Sequence, residues 1–123
     1  MKETVRLIHF ADAAPAPLTD RPAQERAIGV APLRTTWERY ASEAGALSIG
    51  EWACEPGAWK IVFHAHRDEF FHVLAGRLRI RDEAGNARGF GPGEAGVIPA
   101  GFRGVFEVLE PVRKRYVMID VPR

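Results

Sequence analysis

The chain has a single cysteine, Cys54. No intramolecular disulfide can form, and a reducing compartment fits. No apolar run approaches the ~20 residues of a membrane-spanning helix. The N-terminal stretch MKETVRLIHFADAAP has no long apolar core before a cleavage site, so no signal peptide is expected and the cytoplasm is the expected location. A dominant charge is also lacking: 17 Lys and Arg are interspersed with 16 Asp and Glu, for a net charge of +1. Phosphate binding along a nucleic acid needs a clustered basic face, which argues against a dedicated surface of that kind. The only tight basic run, 113-RKR-115, lies in a strand-like stretch where Arg113 and Arg115 share one face and read as solvated. The glycines of 89-GFGPGEAG-96 are followed by no Gly-Lys-Ser/Thr and no helix start, so they read as turn glycines and not as a phosphate loop.

What the chain does have is short apolar runs with regular punctuation. Its 123 residues suit one domain, and 46% hydrophobic residues suffice for a core. Strands are expected at 4–10, 46–54, 58–65, 69–75, 77–81, 87–90, 95–98, 104–109 and 113–120. Turn clusters containing Gly, Pro, Asn or Asp separate most of them. The 11–32 stretch contains four prolines, Pro32 included, and little periodicity, so an irregular arm over the domain is expected. The segment 35–46 fits either a strand or a helical turn before Gly45. Residues 1–45 then form a strand and arm packed on a barrel of residues 46–123, in a single structural domain. In 77-RLRIR-81, Leu78 and Ile80 face inward and three arginines outward. The 69–75 strand carries Phe70 and Leu74 on one face and Phe71 and Val73 on the other, so both faces need cover and a homodimer is expected. Cys54, in 49-IGEWAC-54, reads as a buried thiol, and His9, in the first expected strand, as structural.

These turns and strands resemble the cupin superfamily, over about Gly50 to Met118. The first cupin motif has His-x-His, three or four residues, Glu, six residues and Gly. Glu69 and Gly76 keep that last spacing. Counting back from Glu69 puts His64 at the second histidine and Val62 at the first. In the second motif Gly93, Pro99 and Gly101 keep their spacing, and Gly104 stands at the final histidine. The strings 52-WACEPG-57, 69-EFFHVLAG-76, 98-IPAGFRGVFEV-108 and 109-LEPVRKRYV-117 are similar to a small subgroup. That subgroup is in turn similar to the cupin domains of ureidoglycine aminohydrolase and of an ethanolamine-utilisation protein. The resemblance implies an all-β, jelly-roll barrel with a proline-rich N-terminal arm.

The histidines pose the chemical question. On a strand, residues two apart share a face, roughly 7 Å apart. Lys60, Val62 and His64 would share one face, and a turn at 66–68 would bring Glu69 back beside His64. Two nitrogens and a carboxylate suit Fe, Mn, Ni or Zn. His64 and Glu69 are therefore the candidate ligands, assisted by His66 from the connecting segment or by His72 if a bulge turns it inward. Lys60 and Arg103 suit a carboxylate on a ligand, and Trp59 and Phe71 are candidate pocket walls. The expected function is binding of, or action on, a small polar, carboxylate-bearing metabolite with a divalent metal. The alternative is a metal-free binding or dimeric interaction module, its metal site lost at Val62 and Gly104. Whether the chain is an enzyme stays open at this point.

Overall fold

In the computed structural model, residues 4–121 are described. Nine strands occur: β1 (Leu18–Asp20), β2 (Ala27–Ile28), β3 (Arg34–Ala41), β4 (Leu47–Cys54), β5 (Gly57–Val62), β6 (Arg67–Asp82), β7 (Ala87–Phe90), β8 (Ala95–Ile98) and β9 (Arg103–Asp120). The described residues contain no helix, and none of them could therefore cross a membrane as one.

The two longest strands organise the rest. β6 and β9 run antiparallel along most of their lengths, from Arg67 opposite Asp120 to Asp82 opposite Gly104. On its other side the first part of β9 pairs with β5 and the second part with β4. β6 pairs likewise with β8 and then with β7. One half of the sheet is therefore β1-β3-β4-β9-β6-β8, and the other is β2-β5-β9-β6-β7. The sheet curls where the β6–β9 register slips, between Val73 and Leu78. Gly76 sits at this bend with φ near +77°, and a Cβ there would lie 2.0 Å from the Pro111 carbonyl oxygen. Pro111, which has no N–H to donate, falls in the same break, where a strand tolerates it.

The inner face of the bend is filled by Phe71, Val73 and Leu78, all fully buried. Complete burial of each contributes roughly 1.5–3 kcal/mol. Leu78 and Ile80 face inward as their alternation requires, while Arg79 turns out and donates from Nη2 and Nε to Glu107 Oε1 (2.6 and 3.0 Å). Cys54 is buried, and burial pushes its thiol up to about 12.

Several expected boundaries differ. Residues 4–10 form no strand, and Val5 and Leu7 are almost fully exposed. Among the described residues no strand pairs with this segment, so its alternation has no partner there. His9 instead accepts a hydrogen bond on Nδ1 from the Ala11 amide. The proline-rich stretch contains two short strands, β1 on the edge of β3 and β2 on β5. The ambiguous 35–46 segment is strand β3 followed by a turn at Gly45. The runs 69–75 and 77–81 are one bent strand, as are 104–109 and 113–120.

Candidate functional site

A cavity of about 560 Å³ lies within the curled sheet. Its floor follows from strand alternation. On β9, Val112, Lys114 and Tyr116 are buried while Arg113 and Arg115 face out. On β6, Glu69 faces in beside Phe71. Lys114 Nζ donates to Glu69 Oε2 at 2.6 Å, and both side chains are 5% exposed. The ammonium also lies 4.6 Å from the centroid of Trp52, 5.0 Å from Phe71 and 5.1 Å from Phe106. Burying two charges is costly, and a close pair inside an aromatic cage offsets that cost. Trp59 stacks on Phe106 at 5.0 Å and completes the apolar wall.

Tyr116 follows on the same face. Burial raises its hydroxyl above the ordinary tyrosine range, and a hydrogen bond with Ser48 works against that rise. Ser48 Oγ donates in turn to Glu38 Oε2 at 2.9 Å. Glu38 is exposed, so this chain links the buried phenol to the cavity mouth.

The mouth is basic. Arg26, Arg34, Lys60 and Arg67 line it, against Asp20 and Glu38. Arg34 is held by Asp20 through bonds of 2.8 and 2.6 Å, and its guanidinium covers the Trp59 ring at 5.4 Å. Arg67 makes a matching fork with Asp120, which holds the Asp120 carboxyl below its usual range. Arg26 and Lys60 are neighbours, the Lys60 amide donating to the Arg26 carbonyl at 2.9 Å. Among the described residues neither makes an ion pair.

The structure separates the four histidine and glutamate candidates. Glu69 is on the floor. His64 is not on a strand: β5 ends at Val62, and His64 is exposed in the following loop at the mouth. Its Nδ1 accepts from the His66 amide at 3.3 Å. The His66 ring stands 5.3 Å from that of His64, and His66 is not part of the cavity wall. His72 lines a depression on the outer face with Phe10 and Phe70. The shared face expected for Lys60, Val62 and His64 is the outer one, because Trp59 and Ile61 are the buried residues of β5. Lys60 and Val62 reach the cavity only at its mouth.

Of the other candidates, Trp59 lines the cavity. Phe71 does not, being fully buried behind Lys114. Arg103 also lies off the cavity, 3.6 Å from Glu83. Lys114 and Tyr116 were missed by sequence reasoning. The signal was there: in 112-VRKRYVM-118 a lysine shares a face with Val112, Tyr116 and Met118, so it is a cation on the apolar side.

A divalent metal does not fit this donor set. Glu69 is committed to Lys114, which already supplies a positive charge. A side chain at Gly104 would place Cβ 2.0 Å from the Arg81 carbonyl oxygen. No group of three or more His, Cys, Asp or Glu side chains among the described residues could hold a metal ion.

This architecture has known counterparts. The EutQ-like cupin domain matches residues 41–116, more than half of the chain. The chain belongs to the EutQ-like cupin family. The EutQ protein of Clostridium difficile superposes with a TM-score of 0.64 at 23% identity, over 72% of this cupin and 69% of that chain. A putative ethanolamine utilization protein Q from Salmonella typhimurium gives 0.62 at 22% identity, over 80% and 76%. A Pseudomonas syringae protein of unknown function gives 0.75 at 21% identity, and this cupin spans 87% of its own length but 45% of that chain. At these identities the likeness carries the fold alone. No curated protein matches the sequence.

Proposed function

We propose that this cupin binds a small carboxylate-bearing metabolite in its barrel and does so without a divalent metal. The observation that carries the reading is the pair of uncommitted cations, Arg26 and Lys60, at the mouth of a cavity whose floor is apolar except for Lys114–Glu69 and Tyr116. A carboxylate at the mouth would gain charge-assisted hydrogen bonds. The body of the ligand would lie against Trp59 and Phe106, and a polar group at its far end would meet Glu69 or Tyr116. Pockets of this size with a few convergent polar groups suit small metabolites.

The metal-dependent alternative would need His64 to swing in from the loop and Glu69 to leave Lys114. We read the curled sheet as a jelly roll, with residues 46–123 as the barrel proper and the proline-rich residues before them as an arm packed on it. The single buried thiol favours a reducing compartment, which we take to be the cytoplasm.

We place a second copy of the chain on the outer face. Ile49, Val117, Phe70 and Val97 stand in register across four strands there, and Phe70 is 46% exposed.

Isothermal titration with small carboxylates tests the binding reading. Saturable binding is expected, weakened at least tenfold by combining Arg26→Ala and Lys60→Ala. Binding that survives the double substitution unchanged would remove the mouth from the account.

A further inference from the structure

We propose that Lys114 is a nucleophile that forms an imine with a small oxo acid, an inference that rests on the carboxylate-binding reading above. Three observations combine. First, Lys114 and Glu69 both line the cavity and touch each other at 2.6 Å. A carboxylate at hydrogen-bond distance is the base that an ammonium needs before its nitrogen can attack. Second, Tyr116 lies two residues on along the same buried face, with its hydroxyl linked through Ser48 to exposed Glu38. Nucleophile, base and proton donor therefore line one cavity. Third, the basic residue on the floor is a lysine in a chain that strongly prefers arginine. Of its 17 Lys and Arg, the lysines are Lys2, Lys60 and Lys114. Arginine is the better partner in a buried ion pair, whereas lysine adds a primary amine.

The step balances without an external oxidant or reductant. Glu69 takes one proton from the Lys114 ammonium, and the freed nitrogen lone pair adds to the carbonyl carbon of the oxo acid. The carbonyl π pair moves onto oxygen, which takes up the second proton leaving nitrogen, relayed through the Tyr116 hydroxyl. The protonated Glu69 then delivers its proton to the new hydroxyl. Water departs as the nitrogen lone pair closes the C=N bond, leaving an iminium beside the Glu69 carboxylate. The iminium again carries the positive charge that the ammonium carried, so the cage of Trp52, Phe71 and Phe106 holds the product as it held the starting lysine. The carboxylate of the oxo acid stays with Arg26 and Lys60 at the mouth.

The test uses the full chain with pyruvate and cyanoborohydride, followed by intact-mass analysis and peptide mapping. A reduced adduct on Lys114 is expected. It should be lost in Lys114→Arg, which keeps the charge and the pairing to Glu69 but has no primary amine. It should also form at least tenfold more slowly in Tyr116→Phe. Trapping confined to Lys60, Lys2 or the N-terminus, or equal in the Lys114→Arg protein, would overturn the proposal. Titration with pyruvate and with lactate, which has no carbonyl, separates the two levels. If both bind and no Lys114 adduct is trapped, the imine fails while carboxylate binding stands. If neither binds and no adduct forms, both fail.

Discussion

Lys114 is the residue on which the interior depends. Its ammonium is held by one carboxylate and three rings, and removing it would leave Glu69 charged and buried. Lys114→Met is therefore expected to destabilise the fold by about 3–5 kcal/mol in urea denaturation. Adding Glu69→Leu should restore most of that loss, because the second charge then leaves as well. If the single substitution proves neutral, the pair is not buried as described. Cys54 gives a second prediction at this scale. Its thiol ionises near 12 in the fold against an ordinary 9.0. Below about pH 9 both folded and unfolded chains keep the proton, so the stabilisation is complete. Between pH 9 and 12 the unfolded chain releases it and the folded chain does not, and stability falls by roughly 1 kcal/mol per pH unit. Burial of Tyr116 acts in the same direction at higher pH. The fall between pH 9 and 11, followed by thermal melting, should be shallower in Cys54→Ala. Equal slopes in the two proteins would contradict this assignment.

At the scale of the strands, two glycines mark where backbones approach too closely for a side chain. Gly104→His would restore the histidine expected from the cupin motif. It would also drive Cβ into the Arg81 carbonyl, so the expected result is a loss of more than about 1–3 kcal/mol and no gain of metal. Stability together with metal content of the purified variant checks this; a stable, metal-loaded protein would refute it. These close approaches also explain what the sequence concealed. Local punctuation revealed most strand positions, since turns depend on the residues within them. Gly76 and Pro111 read as breaks because each disfavours a regular strand. In the fold they face one another at a bulge that bends β6 and β9 without ending either. The face of β5 that carries Lys60 and Val62 was hidden for a related reason. The inward face of β5 is set by pairing Trp59 with Phe106 and Ile61 with Gly104, and a one-residue change of parity exchanges the two faces. Nothing local to 58-AWKIVFHA-65 decides that parity. In β6, by contrast, the parity was legible: the odd offset between Glu69 and His72 put them on opposite faces, as found.

At the scale of the molecule, the barrel has a polar pair inside and an apolar row outside. Val97, Phe70, Val117 and Ile49 span four strands, and Phe10 sits at one end of the row. If a second copy covers this row, sedimentation should show a dimer at micromolar concentration. Phe70→Glu should then give a monomer with an unchanged far-ultraviolet spectrum. A wild-type monomer would leave the row to another partner. The cavity itself decides the central claim, that the cation of this barrel is a lysine and that ligand recognition needs no metal. The most direct measurement is titration of pyruvate into untagged protein before and after exhaustive EDTA treatment, with metal content determined on the same samples. The account predicts substoichiometric metal throughout and the same affinity in both samples. Binding that disappears with EDTA and returns with Mn, Fe, Ni or Zn would contradict it.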